Sequence, residues 1–236
     1  MKLDPYKHKQ RWTNWEKKRD YKGLSKANSE LVAQYLADMK LGMNTLRRKP
    51  LSDIRLNSIR QRIIWLLGMM QNIFQKESIT DIAQREVTEF FNDMMRNGKI
   101  RNKHGKIYLS LDSYANTFKA FWHWYMRKQG ENGINVKDIT SYLDLTPVKD
   151  NTFVYFTLED LKKVCIKAKY EYKVMMHFMF DSGIRSPTEL MNIRVSDLSL
   201  MPNSSNFEVD IRQEISKTFG RKIKLLICST ILKDYI

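Results

Sequence analysis

Phe180-Asp-Ser-Gly-Ile-Arg-Ser-Pro-Thr-Glu-Leu-Met-Asn-Ile-Arg-Val-Ser-Asp-Leu198 is the stretch on which the reading of this chain turns. It grows out of a run, Glu171 to Ser182, that is apolar nearly all round (Val174, Met175, Met176, Phe178, Met179, Phe180). Such a run predicts a helix central to its domain. Gly183 is a natural stop for that helix, and Pro187 suits the first turn of another reaching about Arg194. Farther along, FEVDIRQ (207–213) alternates like a half-buried strand. SKTFGRK (216–222) is a basic turn around Gly220, and IKLLIC (223–228) reads as a second strand. A last short helix starts at Ser229. On the other side, Thr157-Leu-Glu-Asp160 has the form of a capping box and predicts a helix through about Lys169.

Upstream of residue 147 the pattern is helical throughout. A helix from Asn28 or Ser29 to about Lys40 turns Leu31, Tyr35, Leu36 and Met39 inward and stops at Gly42. A longer one spans roughly 54–76, with Ile59, Ile63, Leu66, Leu67, Met70, Ile73 and Phe74 at helical spacing. A third carries Val87, Phe90, Phe91 and Met94, and a fourth starts near Ser110 with Tyr114, Phe118, Phe121, Trp122 and Tyr125 at steps of three and four. That aromatic stripe reads as core, with a base-stacking surface as the alternative. Residues 1–24 read as a basic arm, either a solvated helix or a segment lying along a polyanion. A Pro-containing break at 147–155 separates the helical domain (25–146) from a second one (156–236).

The composition narrows the partner. Forty-one Lys and Arg against 26 Asp and Glu leave a net charge of +15. Such an excess suits a polyanion, because cationic side chains neutralise phosphates and release condensed counterions. The arginines and lysines at Arg47, Arg48, Lys49, Arg55, Arg60, Arg62, Lys99, Arg101, Lys103, Lys106, Arg221 and Lys222 are the expected phosphate contacts. No apolar run is long enough to span a bilayer, so no membrane is expected. The two cysteines, Cys165 and Cys228, lie far apart without CxxC or Cys/His spacing, and no compact acidic cluster is visible. Neither a disulfide framework, a metal site nor a cofactor is expected, and a reduced cytoplasmic, nucleoid-associated setting fits.

The Phe180–Leu198 stretch resembles the first active-site motif of the tyrosine recombinases, the phage-type and archaeal integrases. In that family an apolar helix ends in Thr/Ser-Gly-Leu/Ile-Arg and is followed by Glu-Leu and a trailing Asp. Its pairing with SKTFGRKIKLLIC strengthens the resemblance, which spans roughly residues 25–236. It implies a mainly α chain with a small antiparallel β-hairpin or sheet. A helical core-binding (SAM-like) DNA-binding domain would be followed by the N-terminal part of a recombinase catalytic domain, the two forming a C-shaped clamp on double-stranded DNA.

The resemblance also implies roles. These enzymes cut DNA with a tyrosine, without metal, and charge builds on the non-bridging phosphate oxygens. Arg185 would meet that charge, since a guanidinium donates parallel charge-assisted hydrogen bonds and stays protonated. Glu189 would orient it. Lys217 would protonate the leaving 5′ oxygen, as an ammonium among other cations can do; contact with backbone phosphates is the alternative for the whole Lys217, Arg221, Lys222, Lys224 cluster.

Two departures stand out. Arg185 and Glu189 are four residues apart where the family has three, and nothing in the sequence corresponds to the His/Lys-x-x-Arg motif or the nucleophilic tyrosine. Tyr235 follows the second strand too closely to be that nucleophile. The chain is therefore expected to bind DNA as a C-terminally truncated recombinase that does not cleave alone, to expose apolar surface around Ile231, Leu232 and Ile236, and to self-associate or to pair with a missing C-terminal fragment. The alternatives are a catalytically dead DNA-binding accessory, and a basic helical module for RNA or protein in which Arg185 and Lys217 lie far apart.

Overall fold

A computed structural model describes residues 3–19, 21–43, 49–95, 98–102, 104–106, 108, 111–143 and 154–234. The chain divides into two compact units, one of residues His8–Asn151 and one combining Met1–Lys7 with Thr152–Ile236.

Five helices build the first unit among the described residues: α1 (His8–Lys18), α2 (Lys26–Leu41), α3 (Asp53–Phe74), α4 (Gln84–Met95) and α5 (Leu111–Glu131). Two start on serine caps. Ser25 accepts from Asn28 N and Ser52 from Arg55 N, each satisfying an amide that the first helical turn leaves without a partner. Helix α2 ends where Gly42 takes φ of 81°, donating its N–H back to the last turn. α3 is the axle: Ile63, Leu66, Leu67 and Met70 are fully buried against Val32 and Leu36 of α2, Val87 and Phe90 of α4, and Phe118 and Phe121 of α5. The aromatic stripe of α5 is core, with Phe121 packed edge-on to Tyr35 at 5.2 Å. Polar ends of the large rings find partners, Trp122 Nε1 on Lys137 O at 3.0 Å and Trp124 Nε1 on Asp38 Oδ2 at 2.8 Å.

Two expectations change here. Residues 8–18 form no free arm. Trp12 is buried, and Trp15, Tyr21 and Leu24 pack on the same core; counting charge overlooks the apolar face that two tryptophans give this helix. Ile73 is 45% exposed, whereas Phe74 in the same last turn of α3 packs on the core. Leu31 packs on the core as expected, and Val32 beside it is fully buried. Arg47, Arg48, Lys103, Tyr235, Ile236 and most of the 147–155 break lie outside the described residues.

The second unit is α6 (Leu158–Cys165), α7 (Tyr170–Ser182), the antiparallel strands β1 (Leu198–Leu200), β2 (Phe207–Ile211) and β3 (Arg221–Leu225), and α8 (Ser229–Lys233). The sheet runs β1-β2-β3, with Val209 opposite both Leu198 and Ile223. Val209, Ile211 and Leu225 pack with Val174 and Phe178 of α7. Thr157 caps α6 in the expected box with Asp160. β1 escapes a pattern search because three residues with two exposed carry no alternation.

Helix α7 is covered only in part: Val174 and Phe178 are buried and Met179 packs beside them, whereas Tyr172 and Met175 are exposed. No helix grows from Pro187 either. Arg185 O accepts from both Glu189 N and Leu190 N, and the Asn192 side chain takes Thr188 O, so the segment closes on itself and ends in a single 3₁₀ turn at Leu190–Asn192. The Ser186–Pro187 peptide is cis. Of the apolar residues expected to be exposed, Leu232 is buried. Leu226 and Ile227 are exposed instead, because the chain leaves the sheet after Leu225.

Candidate functional site

The Phe180–Leu198 stretch is tied to the sheet by three carboxylates, each reaching a different part of it. Asp181 Oδ2 accepts from Ile227 N at 2.7 Å and Cys228 N at 2.9 Å, drawing those amides out of line with β3. Asp197 Oδ1 lies 2.9 Å from Arg212 Nε just past β2, while Arg212 Nη2 donates to Asn192 O at 2.7 Å. Arg212 also holds Glu214. Between these two, Glu189 forms the centre.

Glu189 is 1% exposed and fully engaged. Its Oε2 accepts from Arg185 N at 3.0 Å and Arg221 Nη2 at 2.9 Å. Its Oε1 accepts from Arg221 Nη1 at 3.2 Å, Ser216 Oγ at 3.1 Å and Arg185 Nη1 at 3.3 Å. Burial alone would raise its pKa; the forked hydrogen bonds from Arg221, the Arg185 amide and Ser216 outweigh it and hold the carboxyl near 2. Arg221, expected among the phosphate contacts, gives both terminal nitrogens to Glu189 and is only 31% exposed.

Arg185 is different. Its side chain is 50% exposed, held along one edge by Glu189 and by Thr218 Oγ1 at 3.5 Å. Its Nε and Nη2 have no hydrogen-bond partner among the described residues. A guanidinium anchored on one edge and open on the other is prepared to donate two parallel hydrogen bonds to an oxyanion.

Lys217 stands between the two residues that complete this cluster, since Ser216 reaches Glu189 and Thr218 reaches Arg185. Lys217 itself is exposed. The loop is closed at its neck by Gly220, where a Cβ would lie 3.0 Å from Gln213 N and 3.1 Å from Ile211 O. Arg185, Glu189 and the Lys217 loop thus come together from segments about 30 residues apart. Ser216, Thr218 and the partnering role of Arg221 had no signal of their own in the sequence; a serine and threonine bracketing a lysine are unremarkable until the loop is seen folded back.

The other expected contacts are dispersed. Lys222 pairs with Glu208 at 3.5 Å and Lys99 with Asp93 at 3.3 Å. Arg101 Nη1 donates to Gly105 O at 3.0 Å, in the turn that also holds Lys106. On α3, Arg62 lies over Tyr114 at 5.8 Å, Arg55 is exposed, and Arg60 is buried over Trp15 at 5.0 Å. Among the described residues no group of His, Cys, Asp and Glu could hold a metal, and no helix is long and apolar enough to cross a membrane.

No protein-family model matches the chain, and no curated protein matches it. Among solved structures it aligns with the crystal structure of XerA recombinase, with a TM-score of 0.28 and 16% identity over 86% of this chain. It spans 63% of the length of that protein. So loose a superposition carries no argument about fold or activity, which rest on the residues themselves.

Proposed function

We propose that this chain is the DNA-binding portion of a tyrosine-recombinase-like integrase that holds duplex DNA without cutting it alone. The observation that supports this best is the convergence of Arg185, Glu189 and the loop carrying Lys217. A chance motif in an unrelated basic module has no reason to bring these segments within hydrogen-bond reach. In this reading the open edge of Arg185 receives a non-bridging oxygen of a backbone phosphodiester. Glu189 and Arg221 act as positioning residues, since neither touches the phosphate. Lys217 approaches the leaving 5′ oxygen from the loop. The residues that match the family's pattern include no nucleophile, so the site binds and polarises a phosphodiester and stops there. The charge of +15 supplies affinity that is largely independent of sequence.

The test is duplex binding across a salt series, with nicked duplexes that trap covalent adducts. The expected result is salt-sensitive binding, no adduct, and about tenfold weaker binding for Arg185→Ala, the loss of one charge-assisted pair. Absence of binding at low salt overturns the DNA reading. A covalent adduct overturns the claim that the chain does not cut alone.

A further inference from the structure

The charged side chain that the site leaves unexplained is Arg60, in the middle of α3. It is buried, 9% exposed, yet no carboxylate among the described residues pairs with it, and its Nη1 has no hydrogen-bond partner among them. A guanidinium normally reaches such a position with an acid beside it, because an unpaired buried charge is costly. Here the neighbours are Trp15, whose ring lies 5.0 Å from the guanidinium carbon, and further cations.

Arg60 forms the floor of an open hollow walled by Arg11, Asn14, Trp15, Lys17 and Lys18 of α1. Four of these six residues are cationic and none is acidic. Arg11, Trp15 and Lys18 share a face of α1 at steps of four and three, so the helix itself aims them together. The one acid of α1, Glu16, is drawn to Lys40 at 2.7 Å. No carboxylate among the described residues pairs with Arg11, Lys17, Lys18 or Arg60. Burial lowers the pKa of Arg60 and the charge of Arg11 lowers it further, a repulsion that a bound anion would relieve. Trp15 and Arg60 also line a second, adjoining hollow with Trp65 and Gln61.

We propose that the Arg60 hollow is a seat for one backbone phosphate of the nucleic acid. It rests on the DNA reading above and adds a fixed anchoring point within the helical unit, far in sequence from Arg185. The planar guanidinium, braced against the Trp15 ring, floors the seat with its unpartnered Nη1 shielded from solvent beneath, and Arg11, Lys17 and Lys18 close around the same anion. One phosphate held by an arginine stacked on a ring is a register point, whereas the exposed Arg55 and Lys106 would give only diffuse attraction.

Two measurements on the full chain decide it. In the first, the slope of log affinity for duplex DNA against log salt is compared for wild type, Arg60→Met and Arg60→Lys. Loss of one phosphate contact lowers the slope by about 0.9. Arg60→Met should show this drop, with a tryptophan-fluorescence melting temperature equal to or above wild type. Arg60→Lys should keep the slope but bind less tightly. In the second, the Arg60 Nε–Hε resonance, identified by its loss in Arg60→Met, is followed during titration with inorganic phosphate and should move saturably. An unchanged slope in a folded Arg60→Met, with wild type binding DNA normally, overturns the seat and leaves the DNA reading standing. Wild type that binds no DNA while the Arg60 resonance still titrates with phosphate overturns the DNA reading and assigns the seat to free phosphate. A lowered melting temperature in Arg60→Met with no phosphate response overturns the seat in favour of a packing role.

Discussion

The two units of this chain are held together by different physics. In the helical unit, residues 8–151, long helices bury a continuous apolar and aromatic core, and nearly every large ring lies against another. In the unit around Phe180–Leu198 the core is small, and Tyr172, Met175, Val195, Leu226 and Ile227 stay exposed. There the chain is tied instead by Asp181, Glu189 and Asp197 reaching to amides and guanidinium groups of the sheet region. Apolar burial is non-directional and tolerant. Charge-assisted ties are directional, and they fix particular side chains at particular places. A scaffold suits the first kind of cohesion, and a site that must aim an arginine suits the second.

The sequence supplies separate probes for the two. All five tryptophans, Trp12, Trp15, Trp65, Trp122 and Trp124, lie in the helical unit, and both cysteines, Cys165 and Cys228, lie in the other. Both cysteines are buried, so thiol labelling follows the opening of their unit while tryptophan fluorescence follows the first. The largest effect expected is from Phe121→Ala, which removes a fully buried ring between α2 and α5 and should cost about 4 kcal/mol in the tryptophan-monitored transition. Cysteine labelling should stay unchanged. If both probes shift together, the units unfold as one and the contrast fails.

Next in size is Glu189→Gln, which leaves Arg185 and Arg221 facing each other without the carboxylate between them. The cost should be about 3 kcal/mol, read as roughly hundredfold faster labelling of Cys228 with the tryptophan transition in place. The same residue gives a pH signature. The Glu189 pKa falls from 4.5 to about 2 on folding, so its stabilisation is complete above about pH 4.5 and is lost as the pH falls through 2. Labelling-derived stability of wild type should decline over that interval. Glu189→Gln should lack this component, and an equal decline in both would assign the acid sensitivity to other carboxylates.

The same contrast governs what can be read from the chain before folding. Helices α2 to α5 are legible because burial at steps of three and four repeats over many residues. Arg185, Glu189 and Lys217 can be named from a motif, but the ties around them cannot. Arg221 looks like any surface arginine, and its pairing with Glu189 depends on a loop whose neck is tight around Gly220. The helix expected after Pro187 fails for a related reason. Propensity favours it, but Glu189 and Asn192 spend their side chains on backbone and arginine partners, and the local closure prevails. Trp12 and Trp15 give the converse lesson, since a segment with eight cations between Met1 and Lys22 reads as solvated although two rings anchor it.

The smallest effect expected is also the finest test of the carboxylate ties. Asp181→Asn retains an oxygen that can accept from Ile227 N and Cys228 N but removes the charge behind both bonds. The difference between charged and neutral acceptors should cost about 1 kcal/mol, or roughly fivefold in labelling rate. A second consequence pulls on the same thiol. Burial first, and then Asp181, push Cys228 up to about 12, so Asp181→Asn also lowers the folded-state pKa. That change should stay silent, because Cys228 is fully buried and reacts only after opening, when its pKa returns to that of an ordinary thiol. The pH profile of labelling separates the two routes. A common inflection near 8.5 in wild type and variant means that the carboxylate acts by holding the unit shut, whereas an inflection that shifts with the substitution means that reagent reaches the folded thiol and the tie is looser than its geometry implies.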